Sequence, residues 1–191
     1  NLRYIGFGAT MVCTAGVLFA YIAASPFVYQ NMMGMSATGY AIAFAINAIG
    51  MVSCTALSGK LAKRYSLEKL IALGLAINVS AVAGIGLVTI TGADIRLMAL
   101  CFFFAVASLG FIFGNSTAVA LSAVDRAAVG TASAMIGMSQ FALGGIATAT
   151  AGLSGENSTV ALAIVSAVSA LCALSAFLVA RKAPVKVHRI G

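Results

Sequence analysis

Residues 55–73 read TALSGKLAKRYSLEKLIAL. Within them lie Lys60, Lys63, Arg64 and Lys69, four of the eleven Lys and Arg residues of a 191-residue chain. Arg3 is the sole charged side chain before this cluster, and after Lys69 none appears until Asp94. Such a cluster can be a solvated turn, a nucleic-acid patch or the connection between two membrane spans, and composition chooses among them. Charged residues make up 8% of the chain and apolar ones 62%, with a mean hydropathy of +1.09. A soluble domain carries about a quarter charged residues, and fifteen charged side chains do not cover the surface of a domain this size. Apolar runs of ~20 residues, long enough to cross a hydrocarbon core of ~30 Å, explain the numbers. The cations fall between or beside such runs rather than over a solvated face interleaved with aromatics, which argues against nucleic acid as a partner. The quoted stretch is therefore the polar link between two spans, and the bilayer is the solvent.

Working outward, six apolar runs appear, at about 4–24, 37–57, 67–90, 95–120, 127–153 and 159–180. Lipid offers the backbone no outside partner, so each run is expected to be a helix. The alternating ten-residue segments of a β-barrel are missing. The expected fold is thus an all-α membrane protein of six transmembrane helices, a single bundle over residues 1–191 whose residues 181–191 form a basic tail. Run 4–24 exceeds the ~7–15 apolar residues of a signal peptide. Because the chain opens on Asn1 rather than Met, further sequence upstream is expected.

Charge orients the bundle. Alternate connections receive Arg3, the Lys60–Lys69 cluster, Arg126 and the tail cations Arg181, Lys182, Lys186 and Arg189; only Arg96 falls on the other side, with Asp94 and Glu156. Ten of the eleven cations on one side predict that both ends of the segment are cytoplasmic. The midpoints of runs one to three recur about 90 residues later in runs four to six. An odd number of spans per set gives the sets opposite topology, as in inverted transporter repeats. Gly130, Gly137 and Gly144 recur every seven residues in the fifth run. They predict a seam where helices approach closely, either for packing or for sliding.

No Asp, Glu, Lys, Arg or His occupies the central part of any run, although such a residue is the usual mark of a proton relay or ion site. Cys13, Cys54, Cys101 and Cys172 lie in separate runs, with no metal-ligand or disulfide spacing. No catalytic constellation exists either, so no enzyme and no metal site is expected. Neutral polar and aromatic residues remain, and they form helical stripes. Tyr21 and Ser25 share one with Thr14; Phe44 and Asn47 share one with Tyr40 and Met51. Phe104, Ser108, Phe111 and Asn115 recur in the fourth run with Cys101, and Gln140 stands beside the glycines of the fifth. An amide in hydrocarbon needs a partner. These nine residues, Tyr21, Ser25, Phe44, Asn47, Phe104, Ser108, Phe111, Asn115 and Gln140, are candidates for lining a cavity for small apolar molecules. Inter-helix hydrogen bonding is the alternative for the amides, and the expected one for Asn78. Of the triple Phe102–Phe103–Phe104, at most one ring can face such a cavity.

The segments SPFVYQNMMGMSATGYAIAFAINAIGM (25–51), GKLAKR (59–64) and GTASAMIGMSQFALGG (130–145) resemble the major facilitator superfamily, and within it the bicyclomycin-resistance type of drug exporter. The resemblance covers nearly the whole chain and falls on helices seven to twelve of a twelve-helix transporter. The family's loop pattern G-x-x-x-D-[RK]-x-G-[RK]-[RK] falls on Gly59 to Glu68; Gly59 and Arg64 match, while Lys63 stands at the acidic position. The resemblance implies proton-driven antiport of small, mostly apolar, drug-like substrates by alternating access, in a bacterial inner membrane. The proton gradient would be the energy source, with no other cofactor. The partner would be an N-terminal six-helix half carrying the coupling acid, and the full-length protein would be a monomer. Two other readings are open: a facilitator carrier for sugars or metabolites, and a self-contained six-span scaffold that dimerises through its glycines.

Overall fold

A computed structural model describes residues 1–151 and 159–183. Glu156, the last two residues of the fifth expected span, and the tail cations Lys186 and Arg189 lie outside them. Six helices run through the described residues: α1 (Leu2–Pro26), α2 (Ala37–Leu61), α3 (Leu67–Thr91), α4 (Arg96–Ser122), α5 (Val129–Ala151) and α6 (Val160–Ala180). Among the described residues no strand occurs. Each helix is long and apolar enough to cross a membrane, and at 1.5 Å per residue the 25-residue α2 extends ~38 Å.

Local chemistry sets the helix ends. The Asn1 side chain accepts from the Arg3 N–H to open α1, and Ser36 caps α2 by accepting from the Gly39 N–H at 3.1 Å. Gly92 closes α3 at φ +64°, the left-handed position that glycine fills without steric cost. At the end of α1 Pro26 has no N–H to offer the Ile22 carbonyl four residues back. The Ser25 hydroxyl donates to that carbonyl instead, at 3.3 Å, and the chain continues as a wider π-helical turn, Phe27–Met32.

Packing reproduces the expected two sets of three. Helix α1 packs on α5 and α6, as α4 packs on α2 and α3; α1 also meets α4, and α3 meets α6. Exchanging α1–α3 for α4–α6 maps this pattern onto itself, which is the signature of two inverted repeats. Helices α1 and α4 form the centre, with α2 and α5 flanking one side and α3 and α6 the other. At Gly110 the α2 and α4 backbones nearly touch: a Cβ there would stand 2.5 Å from the Met51 carbonyl oxygen and 2.6 Å from the Thr55 nitrogen.

The basic residues gather at one end. Arg3 pairs with Glu68 at 2.6 Å, Asn1 donates to the Ala123 carbonyl, and the Tyr4 hydroxyl donates to the Ala132 carbonyl at 2.8 Å. The starts of α1, α3 and α5 and the end of α4 therefore share this end, and Lys60, Lys63, Arg64 and Lys69 lie exposed on the α2–α3 connection there.

The glycine seam predicted in α5 forms only in part. Gly144 packs against the Phe19 ring of α1, but a Cβ on Gly130 or Gly137 would meet nothing within 4 Å. The helix turns a row that includes Ala132, Ile136, Gly144 and Ala147 toward the bundle.

Candidate functional site

The Pro26 break shapes this site. Tyr21, Ser25 and Tyr29 are spaced by four residues, and the turn around Pro26 directs all three inward, each no more than 3% exposed. From α2, Asn47 reaches them: its amide donates to the Tyr21 phenol oxygen at 2.8 Å and to the Tyr29 phenol oxygen at 3.4 Å. The Ser25 and Tyr40 hydroxyls approach to 3.3 Å. Each amide hydrogen of Asn47 thus has its own acceptor, which is how a buried amide avoids a penalty of ~1–3 kcal/mol.

Aromatic rings enclose this knot. Tyr21 stacks on Phe44 at 5.8 Å and 19°, and meets the edge of Phe102 at 5.1 Å. Tyr29 contacts Phe102 and Tyr40 at 5.8 and 6.0 Å, and Tyr40 meets Phe44 edge-on at 6.0 Å. Phe44 remains 36% exposed, so the cluster has an open edge. Beside it, between α2, α4 and the π-turn, lies a cleft of about 580 Å³ whose wall includes Tyr29, Met33, Met35, Asn47 and Phe103. Flexible methionines and flat rings with a few hydroxyl and amide groups suit a neutral or weakly polar guest. The ring cluster itself carries no fixed charge, and one cation, Arg96 at the start of α4, lines the cleft.

Four of the nine candidate residues, Tyr21, Ser25, Phe44 and Asn47, come together here. The fourth-helix candidates do not. Ser108 is buried, donates to the Ala105 carbonyl and accepts from the Asn78 amide at 3.0 Å. Phe111 is buried with its Cβ against Gly74 of α3. Phe111 is corrected from cavity lining to α3–α4 packing, because its face of α4 meets α3; Ser108 packs there too, and also lines a separate cavity with Phe103 and Phe104, away from the tyrosines. Phe104 is 47% exposed in a groove beside α3, away from the tyrosines. Asn115 donates to the Ser58 hydroxyl and to the Phe111 carbonyl, each at 2.7 Å, and so ties α4 to α2. Gln140 is half-buried, one helical step of four from Ile136 and Gly144.

Tyr29, Tyr40, Phe102 and the Met33/Met35 pair join the site although they were not among the nine. Tyr29 and Tyr40 already lay beside candidates on their stripes, and Phe102 is the fully buried ring of the triple; Phe103 and Phe104 both line one cavity, which corrects the expectation that at most one ring could. Asn78 ties helices as expected, its amide donating to the Ala105 carbonyl at 3.1 Å. Of the loop-motif residues, Gly59 has open space around it, and Lys63 and Arg64 are exposed. Among the described residues no ion pair involves either cation.

The geometry can be set beside known proteins. An uncharacterized MFS-type transporter, YdgK, of Bacillus subtilis (strain 168) is 25% identical over 174 residues. That alignment covers 91% of this chain, and the chain spans 43% of the relative's length. The sequence model of the Major Facilitator Superfamily matches residues 3–149. Six membrane-capable helices, the exchange symmetry of their packing and this match lead to one conclusion: the chain belongs to the major facilitator superfamily, a family of carriers rather than enzymes.

Proposed function

We propose that the chain is the C-terminal six-helix half of an exporter that moves small, mostly apolar, drug-like molecules by alternating access, driven by a proton gradient. The observation that carries this reading is the open-edged aromatic and amide cluster of Tyr21, Tyr29, Tyr40, Phe44, Phe102 and Asn47 beside a cleft of about 580 Å³. Stacking rings and two-way hydroxyls hold many shapes of guest without demanding a charge. Burial supports the remainder of the reading. Only 17% of the most apolar stretch of α2 and of α5 is buried, against 56% for α1 and α4. In this reading the N-terminal half of the same protein covers the α2/α5 side, with substrate between the halves and the full-length protein a monomer.

The central parts of the described spans hold no acid, so the proton-coupling carboxyl belongs to the other half. The basic end faces the cytoplasm of a bacterial inner membrane, following the positive-inside rule. The drug-resistance resemblance of residues 25–51 and 130–145 favours drug-like molecules over sugars, whose hydroxyls need more polar partners than this cluster offers.

The test is efflux by the full-length protein in a bacterial strain stripped of its own exporters. Fluorescent aromatic dyes should accumulate less in expressing cells, and collapsing the proton gradient should restore accumulation. Asn47→Ala should change which dyes are exported. Efflux of sugars but of no dye, or dye efflux indifferent to the gradient, overturns the reading.

A further inference from the structure

The cleft beside the tyrosines does not end there. A second cavity of about 360 Å³ shares Ile46 and Phe103 with it, and a third of about 450 Å³ shares Leu100 with the first and Ile77 and Phe104 with the second. Through these shared residues they form one trench over α4, walled by α2 and α3. Its floor is the Phe103–Phe104 pair, whose rings meet edge-on at 5.5 Å. The second and third cavities are mostly apolar: the Ser80 hydroxyl donates to its own helix at the Ala76 carbonyl, 2.8 Å away, and Ser108 does likewise to Ala105 at 2.7 Å. Beyond these two, their lining is apolar side chains, two cysteines and the Ser53 hydroxyl.

One charge stands at the mouth. Arg96, the first residue of α4, lines the cleft and is exposed. Among the described residues no carboxylate pairs with its guanidinium; nearby, an Asp94 carboxylate oxygen accepts from the Arg96 backbone N–H at 2.9 Å. From Arg96 to Ser108, where the trench closes, α4 rises ~18 Å over twelve residues. One leaflet of a bilayer contributes ~15 Å of hydrocarbon. A cation at headgroup level above an apolar trench of leaflet depth has the charge and the length of one kind of molecule.

We propose that a phospholipid of the leaflet on the Arg96 side occupies this trench, its phosphate against the Arg96 guanidinium and one acyl chain laid along Phe103 and Phe104 between α2 and α3. Both helices pack on α4 and leave a gap that the chain fills, so the lipid acts as a wedge in the bundle. An arginine fork suits a phosphate diester in geometry as well as charge.

The experiment uses the full-length protein in nanodiscs doped with palmitoyl-oleoyl phosphatidylglycerol bearing a photoactivatable diazirine on the acyl chain. Irradiation should label peptides containing residues 46–54 and 100–108. Labelling should fall at least about fivefold in Arg96→Gln, which removes the cation, and in Ala76→Phe, which fills the third cavity from an exposed position. Ser80→Phe repeats the second change on the same wall, and Leu171→Phe on the open face of α6 should leave labelling unchanged. A diacylglycerol probe of the same chain, lacking phosphate, should label the trench as weakly as Arg96→Gln does. Equal labelling of α5 and α6 would mean ordinary annular lipid and overturns the proposal. So do unchanged labelling in both trench variants or cross-links to a second copy across this groove.

Discussion

Two buried asparagines divide this bundle into regions of different character. Asn78 on α3 donates to a backbone carbonyl and to Ser108, in a seam where Gly74 lets α4 come close. Asn47 on α2 donates to two phenols, in a ring cluster with an open edge and a cleft beside it. In each the buried NH2 group finds two acceptors, but of opposite kind. A backbone carbonyl is fixed by its helix, so Asn78 locks two helices together. A phenol swings about its own side chain, so Asn47 holds groups that can be rearranged by a guest. Residue type and burial are the same, and the partner decides whether the amide is a rivet or part of a binding surface.

The comparison predicts a graded series. Gly74→Leu places atoms where Ile112 and Phe111 already stand, at 2.7 and 2.8 Å from the new Cβ. It should cost about 3 kcal/mol, seen as loss of monodisperse full-length protein on size exclusion. Normal yield would mean that the seam is loose and the distinction unfounded. Asn78→Ala should lower stability by about 1–2 kcal/mol, read by thermal melting in detergent, with the set of exported dyes unchanged. Asn47→Ala reverses the balance: a stability loss below about 1 kcal/mol and a roughly tenfold weaker dye affinity, equivalent to about 1.4 kcal/mol. Should Asn78→Ala alter dye selection as much as Asn47→Ala, the two regions do not differ in role. Tyr21→Phe keeps the ring stack and removes one acceptor. It should move dye affinity only about twofold, less than ~0.5 kcal/mol, in equilibrium binding to the purified protein.

The fold was legible because the bilayer asks little of a sequence. Hydropathy and length mark the six spans, and the cations beside TALSGKLAKRYSLEKLIAL show which connections share an end. The site was legible where a helix end betrays itself. Pro26 flags the break, Tyr21 and Ser25 lie within a few residues of the corner it creates, and Asn47 stood out as a polar residue on the α2 stripe. The α4 stripe misled for a definite reason. Helix α4 is central, and a polar face on a central helix shows only that it avoids lipid. Whether Phe111 met a cavity or α3 depended on the position of Gly74, which is more than thirty residues away in sequence. For the heptad glycines of α5, spacing alone does not say which row meets a neighbour within this chain: Gly144 does, and Gly130 and Gly137 do not.

Charge placement carries a consequence in electrical terms. Among the described residues every Lys, Arg, Asp and Glu lies at or beyond a helix end. Carrying one elementary charge across a membrane potential of 100 mV involves ~2.3 kcal/mol. A bundle with a neutral interior therefore tilts or rocks with almost no electrical work, and voltage exerts no direct pull on it. Any voltage dependence of a carrier containing this bundle must come from the charges on its cargo, its coupling ion or its other helices.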